Sequence, residues 1–244
     1  MDAEAPRWWS KAILIGALIA LALLMLGAIG SRVGIWPFST GFLMLAGGAV
    51  LAVIGVVVGI AGVVIAARRG LAADRPMLYV GTLISAVVVG YLGMQFNAAR
   101  SVPPIHNIST DVADPPAFDA IVALRGEGSN PLAYDADAVA AQQQQAYPWV
   151  KTLHTDQAPQ ASFEKAVAVL GDMGIEIVDA DPESGTVEGT ATTTWFGFKD
   201  DVVVRIRPDG TGSKVDLRSV SRVGQSDLGV NAHRIGEFLT RFQD

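Results

Sequence analysis

Between Asp200 and Arg234 the chain gathers the side chains best suited to chemistry: Asp200, Asp201, Asp216, Arg218, Arg222, Ser226, Asp227, Asn231 and Arg234. Arginine's planar fork matches a carboxylate or a phosphate, and a helix start adds unpaired amides and partial positive charge. Gln225-Ser-Asp227 has the composition of such a start. If Arg218, Arg222 and Arg234 converge on it, they form an anion site suited to a phospholipid headgroup, a lipopolysaccharide phosphate or a cell-wall fragment. The same residues also suffice for one another. Asp200, Asp201, Asp216 and Asp227 offer carboxylates to Arg205, Arg207, Arg218, Arg222 and Arg234, and Ser226 or Asp227 is a good helix cap. Both readings remain open on sequence alone.

Catalysis has less to draw on. Asp200, Asp201 and Asp227 offer carboxylates to a metal-assisted or hydrolytic envelope enzyme, but aspartates beside a turn are commonly solvated. His106, His154 and His233 lack metal-ligand spacing, and no nucleophile elbow, phosphate loop or dinucleotide glycine pattern occurs. The expectation is therefore a non-catalytic module with no cofactor and no metal.

These residues need a strand and a helix to position them. Alternation over residues 214–222 places Asp216, Arg218, Val220 and Arg222 on one face and Val215, Leu217, Ser219 and Ser221 on the other. In a helix over about residues 227–242, Leu228, Ile235, Leu239 and Phe242 fall near one line. Asn231 lies on that apolar face, where it calls for buried backbone partners, while His233 points away. Upstream, Phe163, Ala166, Val167, Leu170 and Met173 recur at helical spacing and Gly174 closes the helix. Strands are expected over about residues 175–178, 186–194 and 202–207, with the turn Pro208-Asp-Gly-Thr-Gly212 before the last one. Short helices are expected over residues 116–124 and 135–145. The fold class expected for residues 117–244 is α+β, a two-layer domain with an antiparallel four-stranded sheet and flanking helices. Residues 101–116, with two Pro-Pro pairs, read as an extended leader.

The first hundred residues belong to another solvent. Residues 12–30, 41–67 and 77–99 carry no charge, and a hydrocarbon core about 30 Å thick needs roughly 20 helical residues to cross. Three transmembrane spans within residues 1–100 follow. The first span also ends in Ala28-Ile29-Gly30, a small-x-small pattern compatible with signal cleavage. In the second, Gly55-x-x-x-Gly59 permits close helix approach, either within the bundle or between subunits. No ionisable residue lies inside a span, so an anchor is expected rather than a transporter. Arg7, Lys11, Arg68, Arg69 and Arg75 flank one side of the spans; only Arg32 and Arg100 flank the other. The positive-inside rule then puts the N-terminus in the cytoplasm and the C-terminal domain in the periplasm of a bacterial inner membrane. Residues 1–100 hold seven basic and three acidic side chains; the remainder holds eleven and twenty-one. That acidic domain is a poor fit for nucleic acid. The expected partners are membrane lipid and an inner-membrane or periplasmic protein. The 244-residue chain has no cysteine, which excludes disulfides.

One run of residues resembles a known family. Thr194-Trp-Phe-Gly-Phe-Lys-Asp-Asp-Val-Val-Val-Arg205, continued by Asp216-Leu-Arg-Ser-Val-Ser-Arg-Val-Gly-Gln-Ser-Asp-Leu-Gly-Val-Asn-Ala-His-Arg-Ile235, is similar to the signature of the domain of unknown function 1499 family. Pro103-Pro-Ile-His-Asn-Ile-Ser-Thr-Asp111 and Asp114-Pro-Pro-Ala-Phe118 resemble its opening segment, and the likeness covers about residues 101–242. The resemblance implies that Phe198, Asp200, Asp201, Arg205, Asp216, Arg218, Ser219, Ser221, Arg222, Gly224, Asp227, Gly229, Asn231 and Arg234 are defining positions. Other members carry a cysteine in the opening segment, so no cysteine chemistry carries over. The resemblance implies bacterial membrane anchoring and transfers no activity.

The topology is directly testable. Alkaline phosphatase fused after Arg100 is expected to be active, and an inactive fusion would overturn three crossings.

Overall fold

The computed structural model describes residues 5–244, which form two units: residues 5–99 with residues 194–197, and residues 100–193 with residues 198–244. In the first unit the uncharged runs become three helices, α1 (Trp8–Arg32), α2 (Phe38–Arg68) and α3 (Arg75–Arg100). All three are long and apolar enough to cross a membrane. With lipid outside there is little hydrophobic gain in bringing helices together, so close packing of small residues matters. Gly59 and Gly55 supply it within the bundle. A Cβ on Gly59 would lie 2.2 Å from Thr82 Oγ1, and one on Gly55 would lie 2.4 Å from Ser85 Oγ, both on α3. Of the two expectations for this glycine pair, the structure shows packing inside the chain. Leu78 of α3 is fully buried beside Ile13 and Ala66.

The second unit is an α+β domain whose sheet has six strands, two more than expected. They are β1 (Asn107–Ser109), β2 (Leu153–Thr155), β3 (Glu176–Asp181), β4 (Thr186–Thr192), β5 (Lys199–Asp209) and β6 (Gly212–Ser221). The order is β1-β6-β5-β4-β3, all antiparallel, and β2 shares the outer edge of β6 with β1. β1 pairs Asn107–Ser109 with Val220–Arg218, and β2 pairs Leu153–Thr155 with Val215–Ser213. Both extra strands have only three residues, too few for period-two alternation to register. The segment read as a leader thus supplies β1 to the sheet.

The helices are α4 (Ala136–Ala146), α5 (Pro159–Asp172) and α6 (Val230–Gln243), with a 3₁₀ turn at Ala120–Leu124. α5 and α6 pack on one face of the sheet. There Val187, Val202, Val204, Val215 and Leu217 meet Phe163, Leu170, Ile235, Phe238 and Phe242 in one core. Val202 and Val204 share this face with Asp200, while Asp201, Val203 and Arg205 occupy the other, as alternation demands.

The other face departs from the two-layer expectation. Residues 111–133, including the 3₁₀ turn, are hydrogen-bonded across it. Glu188, 2 % exposed on β4, accepts from the amides of Asp119 at 2.7 Å, Ala120 at 3.3 Å and Ile121 at 2.9 Å. A carboxylate at the start of the turn satisfies donors that would otherwise be buried and unpaired. Gln143 of α4 holds the edge by bonding both the amide and the carbonyl of Ser109, at 3.0 and 2.7 Å. The glutamine run therefore contributes one buried anchor.

Enlarging Gly59 to leucine should cost about 1–3 kcal/mol through overpacking against Thr82. Gly47, whose Cβ would meet nothing within 4 Å, is the control. Thermal denaturation of the detergent-purified chain is expected to show a lowered midpoint for Gly59→Leu and an unchanged one for Gly47→Leu.

Candidate functional site

The sheet divides the expected constellation into two groups. Because Asp200 and Asp201 are successive strand residues, they point to opposite faces. Asp200 accepts from Arg234 Nη2 at 2.8 Å on the helix-covered face. Asp201 lies on the other face, fully buried, with Arg222 and Arg125. Arg218 and Arg222 therefore do not converge with Arg234 on the start of α6; the sheet lies between them.

On the helix-covered face Asn231 is the hub. Its Oδ1 accepts from Ser219 Oγ at 2.6 Å and from Arg234, while Nδ2 donates to the carbonyl of His106 at 3.0 Å and to Ser221 Oγ at 2.9 Å. Arg234 also donates to Ser219 Oγ at 2.9 Å. This accounts for an asparagine on an apolar helix face: it satisfies a backbone carbonyl of the chain entering β1.

The start of α6 is also occupied. Asp227 accepts from the amides of Gly229 at 2.8 Å and Asn231 at 2.9 Å, and Ser226 Oγ accepts from Leu228 N at 3.2 Å. Of the amides an external anion would need, two are already spent on Asp227. Burial pushes the Asp227 carboxyl above its ordinary value, and the nearby Asp200 charge adds to this, against the amide bonds from Asn231 and Gly229.

On the opposite face Asp201 is the hub. Arg222 reaches it with Nε at 3.0 Å and Nη2 at 2.7 Å, Arg125 donates to it, and Thr190 Oγ1 adds a bond at 3.1 Å. Arg222 Nη1 also donates to the carbonyl of Leu124 at 3.0 Å. Arg218, only 4 % exposed, has no carboxylate partner among the described residues. Its guanidinium donates to Asn107 Oδ1 and the Pro116 carbonyl, each at 3.0 Å, and to the Leu132 carbonyl. It lies 5.3 Å from the Phe118 ring centroid and 5.8 Å from that of Tyr134, where ring faces attract a desolvated cation. Burial pulls its pKa down to about 10, with the Tyr134 hydroxyl opposing and Arg125 assisting. The carbonyls of Pro116, Leu124 and Leu132 all belong to the covering segment, so these arginines tie it to the sheet.

Asp216 heads a third cluster. Fully buried, it accepts from Arg207 at 2.7 Å, Arg205 at 3.3 Å, Thr152 Oγ1 at 2.6 Å and Thr110 Oγ1 at 3.2 Å. Asp111 and Asp114 complete the ring around Arg205 and Arg207.

Every residue of the expected site is thus engaged inside the domain. Sequence reasoning did not reach Arg125, Asn107, Glu188 or Thr190. Arg125 stands alone in Leu-Arg-Gly-Glu-Gly with no pattern pointing to Asp201. The alternation of Thr186, Glu188 and Thr190 in a strand was the one available signal of a covered polar face.

A groove of about 460 Å³ borders the Asp216 cluster at Thr152 and is lined by Trp149, Leu153, His233, Glu237 and Thr240 among others. It runs between β2 and α6. Trp149 is 45 % exposed, its ring centroid 6.4 Å from that of His233. A Cβ on Gly236 would sit 2.7 Å from Trp149 Cζ3, so the missing side chain gives the indole its seat on α6.

The chain thus joins three helices long and apolar enough to cross a membrane to an α+β domain with one helix-covered face and one polar face closed by an ion-paired segment. The chain belongs to the family described as protein of unknown function (DUF1499), whose model matches residues 107–242. A search of curated proteins finds no match.

Two measurements probe these clusters. Asp201→Asn leaves Arg125 and Arg222 buried around a neutral group and is expected to cost roughly 3–5 kcal/mol in thermal unfolding. Asp209→Asn, at the exposed pair with His154, should leave the midpoint unchanged. For Asp227 the folded pKa is raised, so its contribution to stability is complete below the ordinary carboxylate value and is lost as pH rises through the raised one. Wild type should accordingly lose stability relative to Asp227→Asn as pH increases through that acidic window, and a constant difference would contradict it.

Proposed function

We propose that the folded domain is a non-catalytic binding module, held at a bacterial inner membrane by α1, α2 and α3 and facing the periplasm. The unequal basic flanks of the spans support this orientation. Its partner is a protein of the cell envelope that lays an extended segment along the groove between β2 and α6. The observation that carries this reading is the groove itself. Among the described residues β2 pairs on one side, with β6, so its outer edge retains backbone donors and acceptors for an added strand. Trp149 on its Gly236 seat gives the apolar anchor that hot spots favour, with Lys151 and Glu237 as charged neighbours.

An anionic ligand at the arginines is the weaker reading, because it would have to displace Asp200 or Asp201. A hydrolytic enzyme built on Asp200, Asp201 and Asp227 is weaker still. Asp201 is closed to solvent and held by two arginines, and Asp227 caps α6. Among the described residues, no three His, Asp or Glu side chains gather as a metal site.

A photo-cross-linking residue placed at Thr240, inside the groove, is expected to trap one defined partner in intact cells. The same residue at Glu183, in the exposed turn before β4, should not. Trp149→Ala should abolish the Thr240 adduct while the domain stays folded. An adduct that survives Trp149→Ala, or that forms equally from Glu183, overturns the assignment.

A further inference from the structure

The membrane unit carries a second groove. It opens between α1 and α2, encloses about 580 Å³, and has Arg7 and Arg69 at one end. Its walls are otherwise apolar, formed by Trp8, Ala12 and Gly16 on α1 and by Leu51, Ile54 and Val58 on α2, among others. At about 1.5 Å per residue the groove runs about 14 Å along α1, from Arg7 to Gly16, and about 21 Å along α2, from Leu51 to Ile65. Both lengths fit within a hydrocarbon core about 30 Å thick.

Among the described residues the charged end has a basic excess: Asp74, the acid paired with Arg7, is committed to Ser10 Oγ and to the backbone amide of Arg7, each at 2.7 Å. The Arg7 side chain stays 44 % exposed, with its Nε 3.8 Å from Asp74. Arg69 is exposed at the end of α2. A cationic mouth above an apolar slot complements a lipid with a negative headgroup and an acyl chain.

We propose that the α1–α2 groove binds an anionic phospholipid, with one acyl chain along Ala12, Gly16 and Val58 and the phosphate between Arg7 and Arg69. A second copy of the chain is the less favoured occupant. A two-fold contact along this face would bring each arginine pair against its own copy, and like charges repel. Gly55 and Gly62 are also unavailable to a partner helix, since their open faces are filled by Ser85 and by Leu78 with Trp9.

The test uses the full chain in detergent, with phosphatidylglycerol and phosphatidylcholine as probes and retained lipid read by native mass spectrometry. Wild type should retain phosphatidylglycerol about tenfold or more over phosphatidylcholine, from two arginines at a membrane surface. Arg7→Gln with Arg69→Gln should remove the preference. Gly16→Phe should expel both lipids at an unchanged thermal midpoint, because a Cβ there meets only Leu51 Cδ1, at 3.9 Å. Equal retention of the two lipids, or a preference that survives loss of both arginines, overturns the proposal. The chain has no cysteine of its own, so Gly16→Cys reports copy–copy contact directly. Efficient disulfide dimers in bilayers would assign the groove to a second copy and overturn the lipid reading.

Discussion

The buried contact of Asp201 with Arg222 and Arg125 is the constraint on which the domain's polar face depends. A carboxylate closed off from water must be paired and hydrogen-bonded, because isolated burial of its charge is prohibitive. Arg222 supplies that pairing from β6, and Arg125 supplies it from the covering segment. Once both arginines are fixed, their remaining donors reach the carbonyls of Leu124 and Asn130. The segment is thereby registered against the sheet. Glu188 and Arg218 extend the same device to the amides of residues 119–121 and the carbonyls of Pro116 and Leu132. Beyond the contacts of Asp201 itself, these bonds join a charged side chain to backbone, which fixes conformation more than it holds charge.

The helix-covered face solves a related problem with neutral groups. Asn231 can serve four partners at once, two as donor and two as acceptor. It therefore joins α6, β6 and the chain entering β1 at one point. Arg234 and Asp200 neutralise each other beside it. A residue that binds a ligand needs unspent donors, whereas these are spent. The groove beside Trp149 differs, since its polar side chains line a surface and, among the described residues, the outer edge of β2 is unpaired.

The unit of three long apolar helices follows other rules. Helices of membrane-crossing length gain little in lipid from hiding apolar surface, and here Gly55 and Gly59 lie against Ser85 and Thr82, which lets backbones approach. Gly16 is not filled in this way, and it lies in the open groove. Glycines of similar appearance in the sequence thus have different uses, and only the facing helix distinguishes them.

Period and composition were enough to read three long apolar helices, α5, α6 and strands β3 to β6, because each is long enough to leave a pattern in the sequence. The resemblance of residues 101–242 likewise anticipated the family. β1 and β2 escaped because three residues carry no readable period, and they pair with β6 across more than fifty residues of chain. The arginines and aspartates were legible as a group that could pair. Which pairs with which was decided by the fold, since neighbouring strand residues face opposite ways and the sheet separates Arg234 from Arg218 and Arg222. Arg125 acquires its role only when residues 111–133 fold back over the sheet, a contact between positions 76 residues apart. Local periodicity is written residue by residue; a counter-ion from a distant loop exists only after the chain has closed on itself.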